Sequence, residues 1–133
     1  MGAKKTTDIG RVLGAAASNS IQELTLYIPN KDRDGIDLGA QRTWVDEAAE
    51  LLARMGGGVT IMPPCEGGWL NETRGNIVWE SPVLVYTYIK PDPFERGLPE
   101  LRRFLHRLGR ETNQGEVALE FDGIFYRITN FGK

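Results

Sequence analysis

The sequence predicts an α+β fold, a split β-α-β sandwich whose antiparallel sheet carries two helices on one face and an additional C-terminal hairpin strand. A long predicted hairpin, Gly58 to Ile89, lies between two helical segments, which is the middle of a β-α-β-β-α-β order. A second hairpin follows the last helix, with Asp122-Gly123 as its turn. Such a sheet leaves one face open to solvent, to a ligand or to a partner.

Length and composition describe one ordinary globular domain. A chain of 133 residues can bury a single compact core, and 41% hydrophobic with 26% charged residues argues against overall disorder. A formal net charge of −2 gives no overall attraction to nucleic acid or to an anionic membrane, so either contact would need a local basic patch. Cys65 is the only cysteine, which excludes an intrachain disulfide and a multi-cysteine metal site.

The small and polar N-terminal region predicts an arm, residues 1–20, ahead of a single domain, residues 21–133. A short helix ending near Ala17 would be weakened by Gly10 and Gly14. The N-terminus has no signal-peptide pattern, and no apolar run approaches the roughly 20 residues of a membrane span. We therefore expect a cytoplasmic protein with no membrane contact, and we predict no cofactor.

The first half of the domain predicts one strand and one helix. From Glu23 to Ile28, apolar and polar residues alternate as in a half-buried strand. From Ala40 to Met55, apolar residues recur at helical spacing on one face, namely Trp44, Val45, Ala48, Leu51, Leu52 and Met55. The glycines at 56–58 then end the helix, because glycine adopts the left-handed cap conformation without penalty.

The predicted central hairpin pairs a short strand, Val59 to Met62, with the longest strand of the chain, Asn76 to Ile89. Pro63-Pro64 follows the short strand and places it at an edge, because proline cannot donate to a ladder. The turn of this hairpin is predicted at Asn71 to Gly75.

Pro82 divides the long strand, where we expect a bulge or a bend. The part that follows, Val83 to Ile89, is apolar at successive positions. That pattern predicts burial on both faces.

The second half of the domain predicts a helix and the C-terminal hairpin. A short turn with Asp92 as N-cap precedes the second helix, Pro99 to Glu111. The buried stripe of this helix consists of Leu98, Leu101, Phe104, Leu105 and Leu108. Strands Val117–Phe121 and Ile124–Ile128 follow, and the Asp-Gly turn places one face of both in register, with Val117, Leu119, Phe121, Ile124, Tyr126 and Ile128 together.

One loop has the beginning of a calcium-binding pattern. Asn30, Asp32 and Asp34 occupy the first three ligand positions of an EF-hand loop, with Gly35 at the sharp turn. The twelfth position is Gln41, which cannot supply a bidentate carboxylate, and a strand rather than a helix precedes the loop. We interpret the segment as a solvated turn and predict no metal site.

The polar face of the second helix is the first candidate for a ligand site. Arg103, His106 and Arg110 lie opposite the leucine stripe, and guanidinium groups suit planar anions. Neighbouring positive charge disfavours protonation of His106, which could then act as a neutral base. A solvated charged face is the alternative interpretation.

Further polar and aromatic candidates lie after the second helix and in the central hairpin. Asn113 and Gln114 either cap the helix and fix the loop or bind a ligand. Glu80 would have a raised pKa if it were buried, and with His106 it is the candidate for catalysis. Trp69, beside two glycines, is a further candidate for ligand contact or for the core.

The aromatic content predicts a protein interface. Three tryptophans, four tyrosines and five phenylalanines exceed what one small core needs. We expect Tyr27, Tyr86, Tyr88, Phe125 and Trp79 on the open sheet face, and we predict the last four as interface residues.

Several short motifs resemble those of one protein family. They are Met55-Gly-Gly-Gly-Val-Thr60 at the end of the first helix, Gly68-Trp69, Glu80, and Gln114-Gly-Glu-Val117 after an arginine-rich helix. Over residues 22–128, the chain is similar to a group of small bacterial proteins of ferredoxin-like α+β fold whose biochemical role is uncharacterised. The resemblance implies a ferredoxin-like fold and implies no catalytic residue.

The function predicted from the sequence is a non-catalytic interaction or regulatory module, acting as a homodimer or as a small subunit of a larger assembly. One alternative is a small-ligand-binding protein or enzyme with a pocket between the second helix and the central hairpin. Another is a nucleic-acid binder, which the net charge does not favour, using Lys4-Lys5 and the helix residues Arg102, Arg103, His106 and Arg110. Salt-sensitive binding would distinguish this last alternative.

Overall fold

The computed structural model describes residues 7–16 and 21–132. Its helices are α1 (Ile9–Leu13), α2 (Gln41–Gly56) and α3 (Pro91–Glu111). Its strands are β1 (Gln22–Ile28), β2 (Thr60–Ile61), β3 (Gly67–Asn71), β4 (Asn76–Glu80), β5 (Val83–Ile89), β6 (Val117–Phe121) and β7 (Ile124–Ile128). Five strands form one antiparallel sheet in the order β2-β5-β1-β6-β7, and β3 pairs with β4 in a separate hairpin.

The strand order confirms the predicted ferredoxin-like class. β1 and β5 occupy the middle of the sheet, α2 and α3 pack on one of its faces, and β7 is the additional hairpin strand. The alternation of β1 fills the core, because Leu24, Leu26 and Ile28 are completely buried against the helices. α2 ends as predicted, at Gly57 in the left-handed conformation with its N–H bonded to the carbonyl of Ala53.

The long predicted strand Asn76–Ile89 is wrong as a single element. The structure divides it at Pro82 into β4, which pairs with β3, and β5, which pairs with β1 and β2. Pro82 has no N–H to continue a ladder, and its carbonyl instead accepts a hydrogen bond from the backbone N–H of Cys65 at 3.0 Å. The predicted short strand, Val59–Met62, correspondingly shrinks to β2, and a strand that was not predicted, β3, precedes the turn at Asn71.

The predicted burial of β5 on both faces is also wrong. Its helix-facing residues are buried, namely Val83, Val85, Thr87 and Ile89, whereas Tyr88 on the other face is 52% exposed. Leu84 and Tyr86 on that same face are only partly buried. One face of β5 therefore packs on the helices, and its other face presents large apolar side chains on the open side of the sheet.

The second predicted helix is longer than its sequence pattern indicates. α3 begins at Pro91 with Lys90 as N-cap, not with Asp92, and Pro99 lies inside it without ending it. The helix continues there because its first turns are packed in place, with Phe94 stacked on Phe121 at 3.8 Å between ring centroids. Tertiary contacts thus offset the hydrogen bond that proline removes.

The predicted N-terminal arm is described only in part. α1 is a five-residue helix whose side chains are exposed, and residues 1–6 and 17–20 lie outside the described residues, among them Lys4, Lys5 and the expected helix end at Ala17. The division into an arm and one domain stays a prediction. None of the helices in 7–16 and 21–132 combines the length and the hydropathy that a membrane crossing requires.

Candidate functional site

Three of the predicted ligand residues, Arg103, His106 and Arg110, line a shallow depression beside α3 that extends to α2. Ion pairs line this depression. Arg107–Glu47 and Arg54–Glu100 join α3 to α2, and Arg54–Glu50 lies within α2. Their side chains are 38–74% exposed, so each pair contributes at most about 1 kcal/mol. These pairs use Arg107 and Arg54 rather than the three predicted residues.

His106 lies under the C-terminal tail rather than at an open surface. Its side chain is buried, and the ring of Phe131 stands edge-on to it at 6.4 Å between centroids. Burial first, and then the charges of Arg102 and Arg110, lower the pKa of His106. The sequence anticipated the effect of neighbouring charge, but the larger cause, burial, depends on the tail.

Gly109 explains how the tail reaches α3. A Cβ atom at Gly109 would overlap with carbons of the Phe131 ring, so the helix accepts this ring only where a side chain is missing. The Arg110 guanidinium donates to the backbone carbonyls of Phe131 and Gly132. This contact between the tail and α3 was not predicted from the sequence. The feature that could have indicated it is a glycine, Gly109, inside an amphipathic helix.

Asn113 and Gln114 join the end of α3 to the 30–38 loop. Asn113 has a left-handed backbone (φ 52°), and its Nδ2 donates to carboxylate oxygens of Asp32 and Asp34 at 3.4 and 3.2 Å. The Gln114 Nε2 donates to the carbonyl of Lys31 at 3.0 Å. Both amides therefore tie two loops together, as the structural alternative expected.

The loop with the calcium-like pattern uses its carboxylates for its own turn. Asp32 Oδ1 accepts the backbone N–H groups of Asp34 at 2.8 Å and Ile36 at 3.0 Å. The bond from Ile36 is the largest cause that lowers the pKa of Asp32. Within residues 7–16 and 21–132, no group of three or more His, Cys, Asp or Glu side chains is arranged to hold a metal ion.

The β3–β4 hairpin contains the other predicted residues, Trp69, Trp79 and Glu80. Trp69 Nε1 donates to Glu80 Oε1 at 3.2 Å, which holds the carboxylate beside the indole ring. Trp79 lies on the opposite face of the hairpin, over Gly68, where a Cβ atom would be 2.9 Å from the ring. Trp69 and Trp79 are 50% and 59% exposed, so neither belongs to the core. The expectation that Trp79 lies on the open face of the main sheet is wrong, because Pro82 separates β4 from that sheet.

The open face of the main sheet carries Tyr27, Tyr86 and Tyr88, which alternate with buried residues of β1 and β5. Phe125 lies on the same face, because it pairs with Glu120, which in turn pairs with Thr25. Tyr27 donates to Glu120 Oε1 at 2.9 Å and meets the Phe125 ring edge-on at 6.1 Å. Burial, followed by the hydrogen bond to Glu120, raises the pKa of Tyr27 to about 12. This cluster joins β1, β6 and β7 on the face away from the helices.

The predicted ligand and catalytic residues therefore occupy separate places. Arg103, His106 and Arg110 belong to α3, Asn113 and Gln114 to a loop junction, and Trp69 and Glu80 to the hairpin, as the hydrogen bonds and the lining of the depression show. Glu80 is not among the residues that line the depression.

Comparisons with known proteins add information on the fold. No protein-family model and no curated protein matches the sequence. A phage SAM lyase in complex with S-methyl-5′-thioadenosine is similar in structure, with a TM-score of 0.57 and 13% identity over 85% of this chain and 92% of that chain. A phage SAM lyase in the apo state gives a TM-score of 0.53 and 15% identity over 82% and 89% of the two chains. The divalent cation tolerance protein CutA1 from Thermus thermophilus gives 0.40 and 14% identity over 63% and 71%. The likeness to the lyase structures is distant and concerns the fold alone.

Proposed function

We propose that this protein is an interaction module that assembles with further copies of itself through the β3–β4 hairpin and the open face of the main sheet. The observation that carries the proposal is the exposure of one face of the hairpin, where Leu70, Ile77 and Trp79 are 48–60% exposed. A two-stranded hairpin alone is marginally stable in water, and monomers rarely expose a contiguous apolar patch of this kind. Contact with a second copy would cover the patch and support the hairpin.

The open sheet face supports the same proposal. Tyr88 and Phe125 are 52% and 53% exposed, although both are large aromatic residues. Tyrosine and phenylalanine are enriched in the buried centres of protein interfaces, where their rings contribute large contact areas. In this proposal the predicted interface residues contribute to two surfaces, with Tyr86, Tyr88 and Phe125 on the sheet and Trp79 on the hairpin.

Light scattering coupled to size-exclusion chromatography tests the proposal. At micromolar concentration, we expect a mass that is a multiple of the 14.8 kDa chain, and Trp79→Glu should lower it with unchanged circular dichroism. Ile36→Glu is the matched control, because Ile36 is 63% exposed but belongs to neither the hairpin nor the main sheet, so the change should not alter the mass. A 14.8 kDa wild-type species would contradict assembly with copies of the same chain.

A second candidate function is recognition of a sulfonium nucleoside or its thioether relative. The observation that favours it is the similarity to the phage SAM lyase bound to S-methyl-5′-thioadenosine, which covers most of both chains. The hairpin offers suitable groups, since exposed Trp69 can stack on a purine and the adjacent Glu80 carboxylate can face a positive charge. In this candidate, Glu80 rather than His106 would contact the ligand.

Tryptophan fluorescence during titration with S-methyl-5′-thioadenosine tests binding, and consumption of S-adenosylmethionine tests turnover. We expect Trp69→Phe and Glu80→Gln to weaken binding, whereas His106→Gln should leave it unchanged. Saturable binding that His106→Gln abolishes and Glu80→Gln preserves would place the ligand at α3 instead. No binding to the wild-type protein would remove this candidate.

A further inference from the structure

β7 is an edge strand that lacks the usual protection against pairing. Among the described residues it pairs only with β6, and its sequence Ile-Phe-Tyr-Arg-Ile contains no proline and one charge. The opposite edge differs, because β2 has only two residues and Pro63-Pro64 follows soon after. Proline, short strands and charges are the means by which proteins prevent edge pairing. Of the two edges of the sheet, β7 is therefore the one suited to accept another strand.

The turn between β6 and β7 determines which backbone groups point outward. Asp122 and Gly123 form a two-residue turn with φ of 53° and 81°, and Phe121 pairs with Ile124. In such a hairpin, the residue after the turn is hydrogen-bonded to its partner, and bonded and non-bonded positions then alternate. The backbone N–H and C=O groups of Phe125 and Arg127 consequently face away from β6.

The side chains of β7 are exposed on both faces of the sheet. Ile124 and Tyr126, on the helix side, are 55% and 45% exposed, so the helices do not cover this strand. Phe125, on the open face, is 53% exposed. The strand thus presents apolar surface and free backbone groups together, which is the combination that strand addition uses.

We propose that β7 pairs antiparallel with β7 of a second copy about a twofold axis at Tyr126, which joins the two sheets into one. This inference rests on the proposed self-association and names a further contact surface for it. In this register, Phe125 of each copy lies opposite Arg127 of the other. The outward backbone N–H and C=O groups of both residues can then hydrogen-bond across the interface. A closed dimer with the same surface on both subunits results.

Side-chain chemistry favours this register. Phe125 lies opposite Arg127 of the second copy on the open face, which allows a cation–π contact, and Ile124 lies opposite Ile128 on the helix side. Glu116 holds the Arg127 guanidinium by two bonds of 2.9 and 3.2 Å within its own chain. A register centred on Arg127 would instead place two like charges opposite each other, which is destabilising.

Single-cysteine variants test the axis directly, in a background where Cys65→Ser removes the native thiol. Tyr126→Cys should form a disulfide-linked dimer under mild oxidation, because the two Cα atoms at the axis would be about 4.5 Å apart. Ile124→Cys is the matched control, since the two copies of this position would be about 13 Å apart, at roughly 3.3 Å per residue. A dimer of Tyr126→Cys and none above background for Ile124→Cys is the expected result.

A second pair of variants remains informative if a cysteine disturbs folding. Arg127→Ala and Arg127→Pro both lose the guanidinium, but only proline also loses the outward N–H, while the ladder to β6 stays intact. We expect light scattering to show a lower mass for Arg127→Pro than for Arg127→Ala. Equal masses, or equal cross-linking at positions 126 and 124, with the wild type still oligomeric would overturn the β7 pairing and leave the proposed function standing. A monomeric wild type would overturn both.

Discussion

The two hairpins of this protein have similar local sequences and very different surroundings. The β6–β7 hairpin is bonded to β1, so that Val117 and Leu119 are buried, with 2% and 8% exposure. Within residues 7–16 and 21–132, β3 and β4 pair only with each other, and their Leu70 and Ile77 are 60% and 48% exposed. The comparison teaches that an apolar pattern specifies a hairpin, whereas a long-range strand pairing decides whether its side chains are buried.

The largest expected effect separates the two hairpins by stability. Leu119→Ala should reduce the free energy of unfolding by about 2–4 kcal/mol, because it removes buried methyl groups and leaves a cavity. Leu70→Ala, the same change in the exposed hairpin, should alter it by no more than about 0.5 kcal/mol. Urea unfolding at low protein concentration measures both. Equal losses would mean that the β3–β4 hairpin is packed in the free subunit as well.

The next effect concerns the tail that follows β7 and anchors it to α3. Gly109→Ala should destabilise the protein by about 1–2 kcal/mol, because overpacking against the Phe131 ring exceeds the gain of about 1 kcal/mol in helix propensity. In a Phe131→Ala background, the same change should be neutral or stabilising. If Gly109→Ala stabilised the otherwise wild-type protein, the Phe131 ring would not pack against Gly109.

A smaller effect is expected where β1 holds the β6–β7 hairpin on the open face. Tyr27→Phe removes the hydrogen bond to Glu120 and should lower the free energy of unfolding by about 1 kcal/mol. Glu120→Gln, which keeps an acceptor, should cost less. If the two variants unfold like the wild type, this contact contributes nothing to the anchoring of the hairpin.

Titration of tyrosine absorbance provides a second test of the contact between Tyr27 and Glu120, through the pKa of Tyr27. The pKa of Tyr27 is raised to about 12 from 10.0, so the folded protein binds the proton more tightly than the unfolded chain. Its stabilising contribution is therefore complete below pH 10 and is lost as the pH rises through 12. Glu120→Gln should shift the pKa back towards 10.0. A single tyrosine transition near 10 in the wild type would contradict the contact.

The smallest expected effect is the protonation of His106 beneath the tail. Its pKa is lowered from 6.5 by burial and by Arg102 and Arg110, so the unfolded chain binds the proton more tightly. The stability should consequently fall as the pH decreases from about 6.5 towards the folded-state pKa. NMR titration of the imidazole and unfolding between pH 7 and 5 measure this, with His106→Gln as the variant that lacks the dependence. A pKa at or above 6.5 would contradict the burial of the ring.

The sequence correctly predicted those elements in which the spacing of apolar residues marks a single buried face. The alternation in β1, the apolar face of α2 and the Asp122-Gly123 turn all gave correct elements, because each pattern records a contact within one strand, one helix or one hairpin. The sequence showed that Pro82 interrupts the long strand, but it did not show that the two halves belong to different sheets. A proline is compatible both with a bend inside one strand and with a change from one sheet to another. Only the strands that pair with each half distinguish the two cases.

For the candidate site, residue types were recognisable but their grouping was not. Arg103 and Arg110 carry the expected charge, yet their surroundings include acidic residues of α2, such as Glu47 and Glu50, that are far away in the chain. Glu80 next to Trp79 suggested a buried carboxylate, whereas the hydrogen bond that it makes is to Trp69, eleven residues away. The burial of His106 depends on a tail that follows two further strands.

The sequence by itself determined the class of fold, the order of its central elements and the apolar face of each helix, because these follow from periodicity and turn chemistry over short stretches of chain. Only the tertiary structure decided that β3 and β4 stand outside the main sheet, that the tail of Phe131 packs on Gly109, and that β7 remains a free edge among the described residues. The physical reason is that burial results from contacts between distant segments. A side chain with the same local pattern is buried when a strand or helix from elsewhere covers it, and exposed when none does.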